Sequence, residues 1–129
     1  MGQALELVRE ALAAFARGDL DRALEFADPE IVSVRVPPLP DPQTYHGVEG
    51  VLQMYADWTA DFNEFEMEAM EFTEDGDRVI AEMVQRGTGR ASGVPIEGRF
   101  WLAYTVAGGR ITRQDAYLTR EQALASPLP

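Results

Sequence analysis

The sequence predicts an α+β fold in which a curved antiparallel sheet wraps around three helices to form a cone with an internal pocket. The first half carries helical periodicity broken by one short β-branched run, and the second half switches to alternation of period two. A phase slip at Ala69-Met70 reads as a β-bulge, the device by which a strand bends. Long hairpins cannot bury their inner face alone, so the helices must pack onto it. At 129 residues and 46% apolar content, the chain reads as a single domain over residues 1–129 with a continuous core.

From Gln3 to Arg17, apolar residues at Leu5, Val8, Leu12 and Phe15 form one helical stripe, which Gly18 stops. Asp19 is a good N-cap for a shorter helix over Leu20 to Leu24, ahead of a turn at Asp28-Pro29. Ile31 to Val36 reads as a strand, closed by prolines that cannot donate to a ladder. Pro37 to Gly47 holds four prolines and is expected to be an ordered loop or lid. Val48 to Phe62 returns to helix, with Val51, Met54, Tyr55, Trp58 and Phe62 on one face. Strands follow from Phe65 to Phe72, Arg78 to Arg86, Pro95 to Ala107 and Arg110 to Leu118, the last two joined by the Gly108-Gly109 reversal. A short helix over Glu121 to Ala125 ends the pattern.

Absent residue types narrow the chemistry. There is no Cys, which removes thiolate nucleophiles and Cys metal sites, and no Lys, which removes Schiff-base chemistry and the P-loop. Carboxylates, tyrosines and the single histidine, His46, remain for acid–base work. No metal or cofactor is expected. The net charge of −11 is uneven: Val36 to Asp77 holds eleven acids and no Arg, whereas Arg78 to Pro129 holds seven Arg and four acids. Scattered arginines make nucleic acid an unsuitable partner. The acidic stretch reads as a solvated face, or alternatively as a stripe for a cationic ligand. No run of eighteen apolar residues occurs, and Glu6, Arg9 and Glu10 interrupt the N-terminal stretch, so no membrane association and a cytoplasmic location are expected.

Several pieces of turn chemistry, taken in order, resemble the nuclear transport factor 2-like superfamily and its SnoaL-like group. They are Phe15-Ala16-Arg17-Gly18-Asp19, Ala27-Asp28-Pro29-Glu30, Gly47-Val48-Glu49-Gly50, Gly76-Asp77-Arg78-Val79, Gly87 to Gly93, Gly109-Arg110-Ile111, Tyr117, and Glu121-Gln122-Ala123-Leu124. The resemblance implies the cone fold. For function it implies less, because this fold hosts isomerases, cyclases, dehydratases, hydrolases and binding proteins. Ketosteroid isomerases need a Tyr, an Asp base and a protonated Asp where this chain has Ala11, Val34 or Arg35, and Trp101. The epoxide hydrolases use an Asp–Arg–Asp arrangement with Tyr and Asn, and the sole Asn63 has no matching constellation around it. SnoaL-type cyclases place acid–base residues on late strands, where this chain has Gln114 and Asp115.

Period-two parity anchored on Trp101 puts Met83, Gln85, Trp101, Ala103, Thr112 and Gln114 on the pocket side, faced by Tyr55 and Trp58. Trp58, Trp101 and Met83 can equally be ordinary core, and the two Gln can be satisfied by neighbours. His46 is either a loop anchor before the third helix or a pocket acid–base group. Arg35 either pairs with an acid on the outer sheet face or meets an anionic ligand inside, and Tyr45 is placed to gate the mouth. One functional expectation is a SnoaL-like isomerase, cyclase or hydrolase acting on a hydrophobic, carbonyl-bearing metabolite. His46 or Tyr55 would move protons, and Arg35, Tyr45, Trp58, Met83, Gln85, Trp101 and Gln114 would hold the substrate. The alternative is a non-catalytic ligand-binding or dimeric accessory protein. In either case a homodimer through the outer sheet face is expected, from an apolar patch of Ile80, Val84 and Phe100.

Overall fold

The computed structural model describes residues 2–35 and 43–125. Helix α1 (Gln3–Ala16) buries Val8, Ala11, Leu12 and Ala14, and Gly18 follows its end with φ 80°. Asp19 then caps α2 (Leu20–Leu24), its carboxylate accepting from the Arg22 backbone N–H at 3.2 Å. Strand β1 (Ala27–Arg35) starts earlier than the β-branched run indicated. Pro29 is accommodated because the register against the neighbouring strand shifts between Ala27 and Val32, where Asp28 Oδ1 accepts from the Glu30 N–H at 2.8 Å.

The expected loop from Pro37 to Gly47 is corrected in part. Gln43–His46 forms strand β2, antiparallel to β1, and the four prolines of the expectation lie in a stretch outside the described residues. Helix α3 (Gly47–Thr59) follows at once, starting at Gly47 with φ 72° and ending before Phe62. The long strands β3 (Phe62–Asp75), β4 (Arg78–Gly89), β5 (Pro95–Ala107) and β6 (Arg110–Tyr117) and the short helix α4 (Arg120–Leu124) complete the chain. Among the described residues no helix is long and apolar enough to cross a membrane.

The strands form one curved, unclosed six-stranded sheet of order β2-β1-β6-β5-β4-β3. It departs from the expected all-antiparallel sheet at one place, since β1 runs parallel to β6. The intervening elements supply the long connection that a parallel pair needs. Curvature has local sources. In β3 the register slips between Ala69 and Glu71, so Met70 is the extra residue of a bulge and Phe65, Met67, Ala69 and Phe72 all keep to the core side. A second bulge lies between Asn63 and Glu66, where Glu64 has φ 53°. A third makes Thr112 the extra residue of β6, its hydroxyl turned back to the Thr105 carbonyl at 3.3 Å. Thr112 therefore does not face the pocket as expected.

Register decides which face each residue takes. Strand β4 pairs Met83 with Phe100 and Glu82 with Trp101, so Met83 and Trp101 cannot share a face. Val79, Ala81, Met83, Phe100, Leu102 and Tyr104 form the main core with α1 and α3. Trp101 and Ala103, expected inside, lie on the opposite face with Ile80, Tyr117 and Ala123 of α4. Phe100, expected outside, is inside. Ile80 is 2% exposed and Val84 5%, so these three residues supply no apolar patch for pairing with a second copy. The outer face instead carries Arg99 paired with Glu82, and Arg86 between Glu68 and Glu97.

Candidate functional site

Between α1, α2, α3 and the concave sheet face lies a cavity of about 90 Å³. At roughly 10–15 Å³ for one water by this measure, the space suits a small ring system. Its wall is mostly aliphatic and aromatic, with Ala11, Leu12 and Phe15 from α1, Met54 and Trp58 from α3, and Phe100 and Leu102 from β5. These positions follow from the helical stripes and from the parity of β5, which presents every second large side chain inward.

Few polar groups enter this wall. Tyr104 is 4% exposed, and its hydroxyl makes no hydrogen bond with any described residue. Burial pushes its phenol well above the ordinary value, so it is a proton donor at all physiological pH. Directly across the β5–β6 ladder stands Gln114, whose amide N–H points at the Met54 sulfur at 4.0 Å, a weak acceptor. Tyr55 packs its ring on Phe15, with centroids 5.1 Å apart, and edge-on to Phe65. Trp58 rests on Phe100 at 4.8 Å between centroids and donates its indole N–H to Gln85 Oε1 at 2.6 Å. Among the described residues, no carboxylate and no histidine lines the cavity.

A second polar group of residues sits behind Trp58. The Arg35 guanidinium lies 5.9 Å from the Trp58 ring centroid, and its buried Nε has no hydrogen-bond partner. It makes no ion pair with a described residue, so of the two alternatives for Arg35 the pairing with an acid on the outer face is not found among the described residues. Tyr45 donates its hydroxyl to Asp57 Oδ2 at 2.8 Å, and Gln53 donates to Oδ1 at 2.7 Å. These hydrogen bonds, that from Tyr45 first, hold the Asp57 carboxyl below its ordinary value, and Arg35 adds to the effect. Tyr45 is raised, by burial first and then by the bond to Asp57. Its hydroxyl is thus tied to α3.

The residues singled out in the sequence fall into four groups. Tyr55, Trp58 and Gln114 line the cavity, with Gln85 fixed to Trp58. Arg35 and Tyr45 belong to the cluster behind it, and Met83, 1% exposed, is core rather than wall. His46 and Trp101 stand apart. His46 is exposed at the start of α3, with no side-chain capping bond, and Trp101 is on the outer face. Asp115, the late-strand carboxylate, also points away from the cavity, held by Arg113 Nε at 3.0 and 2.9 Å. Sequence reasoning missed Tyr104. The signal was the run Phe100, Leu102, Tyr104, whose alternate positions are all large, against Trp101, Ala103, Thr105.

A curved, unclosed six-stranded sheet packed against a few helices is the cone fold of the nuclear transport factor 2-like proteins. Within it, the chain belongs to the SnoaL-like domain family, which matches residues 8–114. No curated protein matches it in sequence. Solved structures do. An NTF2-like protein of unknown function from Burkholderia pseudomallei is 22% identical over 97% of both chains, with a TM-score of 0.79. TerC, crystallised with polyporic acid, is 20% identical over 95% of this chain and 96% of its own, with a TM-score of 0.77. A putative SnoaL-like polyketide cyclase from Jannaschia is 21% identical over 98% of this chain and 94% of its own, with a TM-score of 0.74. At these identities the likeness is one of fold.

Proposed function

We propose that the chain takes a hydrophobic, carbonyl-bearing small molecule into the cavity between α1, α2, α3 and the sheet. The supporting observation is a partly open cavity of about 90 Å³ whose wall is mostly apolar with a few polar side chains, the pattern of a small-molecule site. The co-crystal of TerC with polyporic acid, in a similarly folded protein, agrees with this reading. Mass spectrometry of the protein under native conditions, followed by extraction and analysis of small molecules, tests it. A bound apolar compound at one per chain is the expected result.

Whether the bound molecule is converted is a separate matter. An isomerase, cyclase or hydrolase of SnoaL-like type would use Tyr55 as the proton-moving group in the wall, with Gln114 orienting the substrate. His46 lies outside this wall, so His46→Ala should leave turnover unchanged and Tyr55→Phe should reduce it by about 10²-fold or more. The second reading is a binding protein without chemistry. It is favoured by the lining itself, where the described residues offer two phenols and one amide but no histidine or carboxylate. A ligand recovered unchanged after incubation would support it.

A further inference from the structure

We infer that Tyr104 and Gln114 form the anchor for one carbonyl oxygen, and that the cavity therefore takes a neutral ring ketone in preference to a carboxylate. This rests on the small-molecule reading above and assigns the polar end of the ligand within it. The first observation is an unmet donor. Tyr104 is 4% exposed and lines the cavity, and its hydroxyl has no hydrogen-bond partner among the described residues. A hydroxyl at a cavity wall with no partner among the described residues is a donor open to a ligand. The second is its neighbour. Gln114 faces Tyr104 on the same side of the β5–β6 ladder, and among the described residues its amide has only the Met54 sulfur at 4.0 Å. Residues opposed in this way have β-carbons roughly 5 Å apart, so two donors can converge on one acceptor.

The chemistry of the acceptor follows from charge. Burial holds the Tyr104 phenol in its protonated form, so it donates and does not offer an anion. No Arg or His lines the cavity among the described residues, and a carboxylate placed there would be buried without a counter-charge. A ketone oxygen accepts two hydrogen bonds and carries no net charge. The apolar remainder of the wall takes the ring.

Three probes with related ring frames test this: tetralin, 1-tetralone and 1-naphthoate, titrated calorimetrically at pH 7 into the wild type, Tyr104→Phe and Gln114→Leu. The expected result is that 1-tetralone binds the wild type about tenfold more tightly than tetralin, the worth of one net hydrogen bond. Tyr104→Phe should remove that preference and leave tetralin affinity within about twofold, since only an unpartnered hydroxyl is lost. Gln114→Leu should reduce the preference in part. The infrared carbonyl band of bound 1-tetralone should lie lower in the wild type than in Tyr104→Phe. Equal affinity for ketone and hydrocarbon, an unchanged preference in Tyr104→Phe, or naphthoate binding as tightly as tetralone would overturn the anchor while leaving the pocket reading intact. Failure of all three probes to bind would overturn both.

Discussion

Trp58 connects the two polar groupings, since one face of its indole meets Phe100 at the cavity while Arg35 lies beside the ring and the N–H is given to Gln85. Trp58→Phe keeps an aromatic ring but strands the Gln85 oxygen. A loss of about 1–2 kcal/mol in urea unfolding is expected, and unchanged stability would show that the 2.6 Å bond contributes nothing net. The Tyr45–Asp57 pair gives a pH signature. A carboxyl held below its ordinary value stabilises the fold above the unfolded pKa, and that contribution disappears as pH falls through the folded value. In Tyr45→Phe the Asp57 midpoint, followed by carboxyl-carbon NMR, should rise toward the ordinary 3.8, and the part of the acid-induced loss of stability that Asp57 contributes in the wild type should shrink. An unmoved midpoint would remove Tyr45 as the main cause. Tyr55, Trp58, Gln85 and Gln114 were legible in the sequence through helical spacing and strand parity. Tyr104 and the outward turn of Trp101 were not, because parity names two alternating sets and only the register with β4 says which one is inside.

At the scale of elements, the close contact between α3 and β2 depends on one glycine. A β-carbon at Gly50 would stand 2.9 Å from the Tyr45 carbonyl carbon, which is backbone and cannot swing aside. Gly50→Ala should therefore cost about 1–3 kcal/mol, as overpacking does, and should raise amide hydrogen exchange in Gln43–His46 selectively. Uniform exchange would place the cost elsewhere. The Asp19 cap and the Ala69-Met70 bulge were readable from sequence because each is local chemistry: a side chain within reach of its own helix end, and a break in a two-residue period. Strand β2 was not, because a four-residue edge strand has almost no signal of its own and exists through its pairing with β1. The parallel β1–β6 pairing is likewise a long-range choice.

For the molecule as a whole, the change from helical to two-residue periodicity was enough to indicate helices packed into a curved sheet. Its concavity comes from bulges in β3 and β6 that tilt large side chains toward α1 and α3. The same curvature leaves space that the core does not fill. If that space is a ligand site, filling it from within must block the ligand. Ala11, on the cavity wall of α1, is the place to do so. Tetralin titrated into the wild type by calorimetry should bind at one per chain, and Ala11→Phe should abolish the heat of binding while the protein remains folded at a cost of about 1–3 kcal/mol. Tetralin binding to Ala11→Phe with wild-type affinity, or no binding to the wild type, would contradict the account.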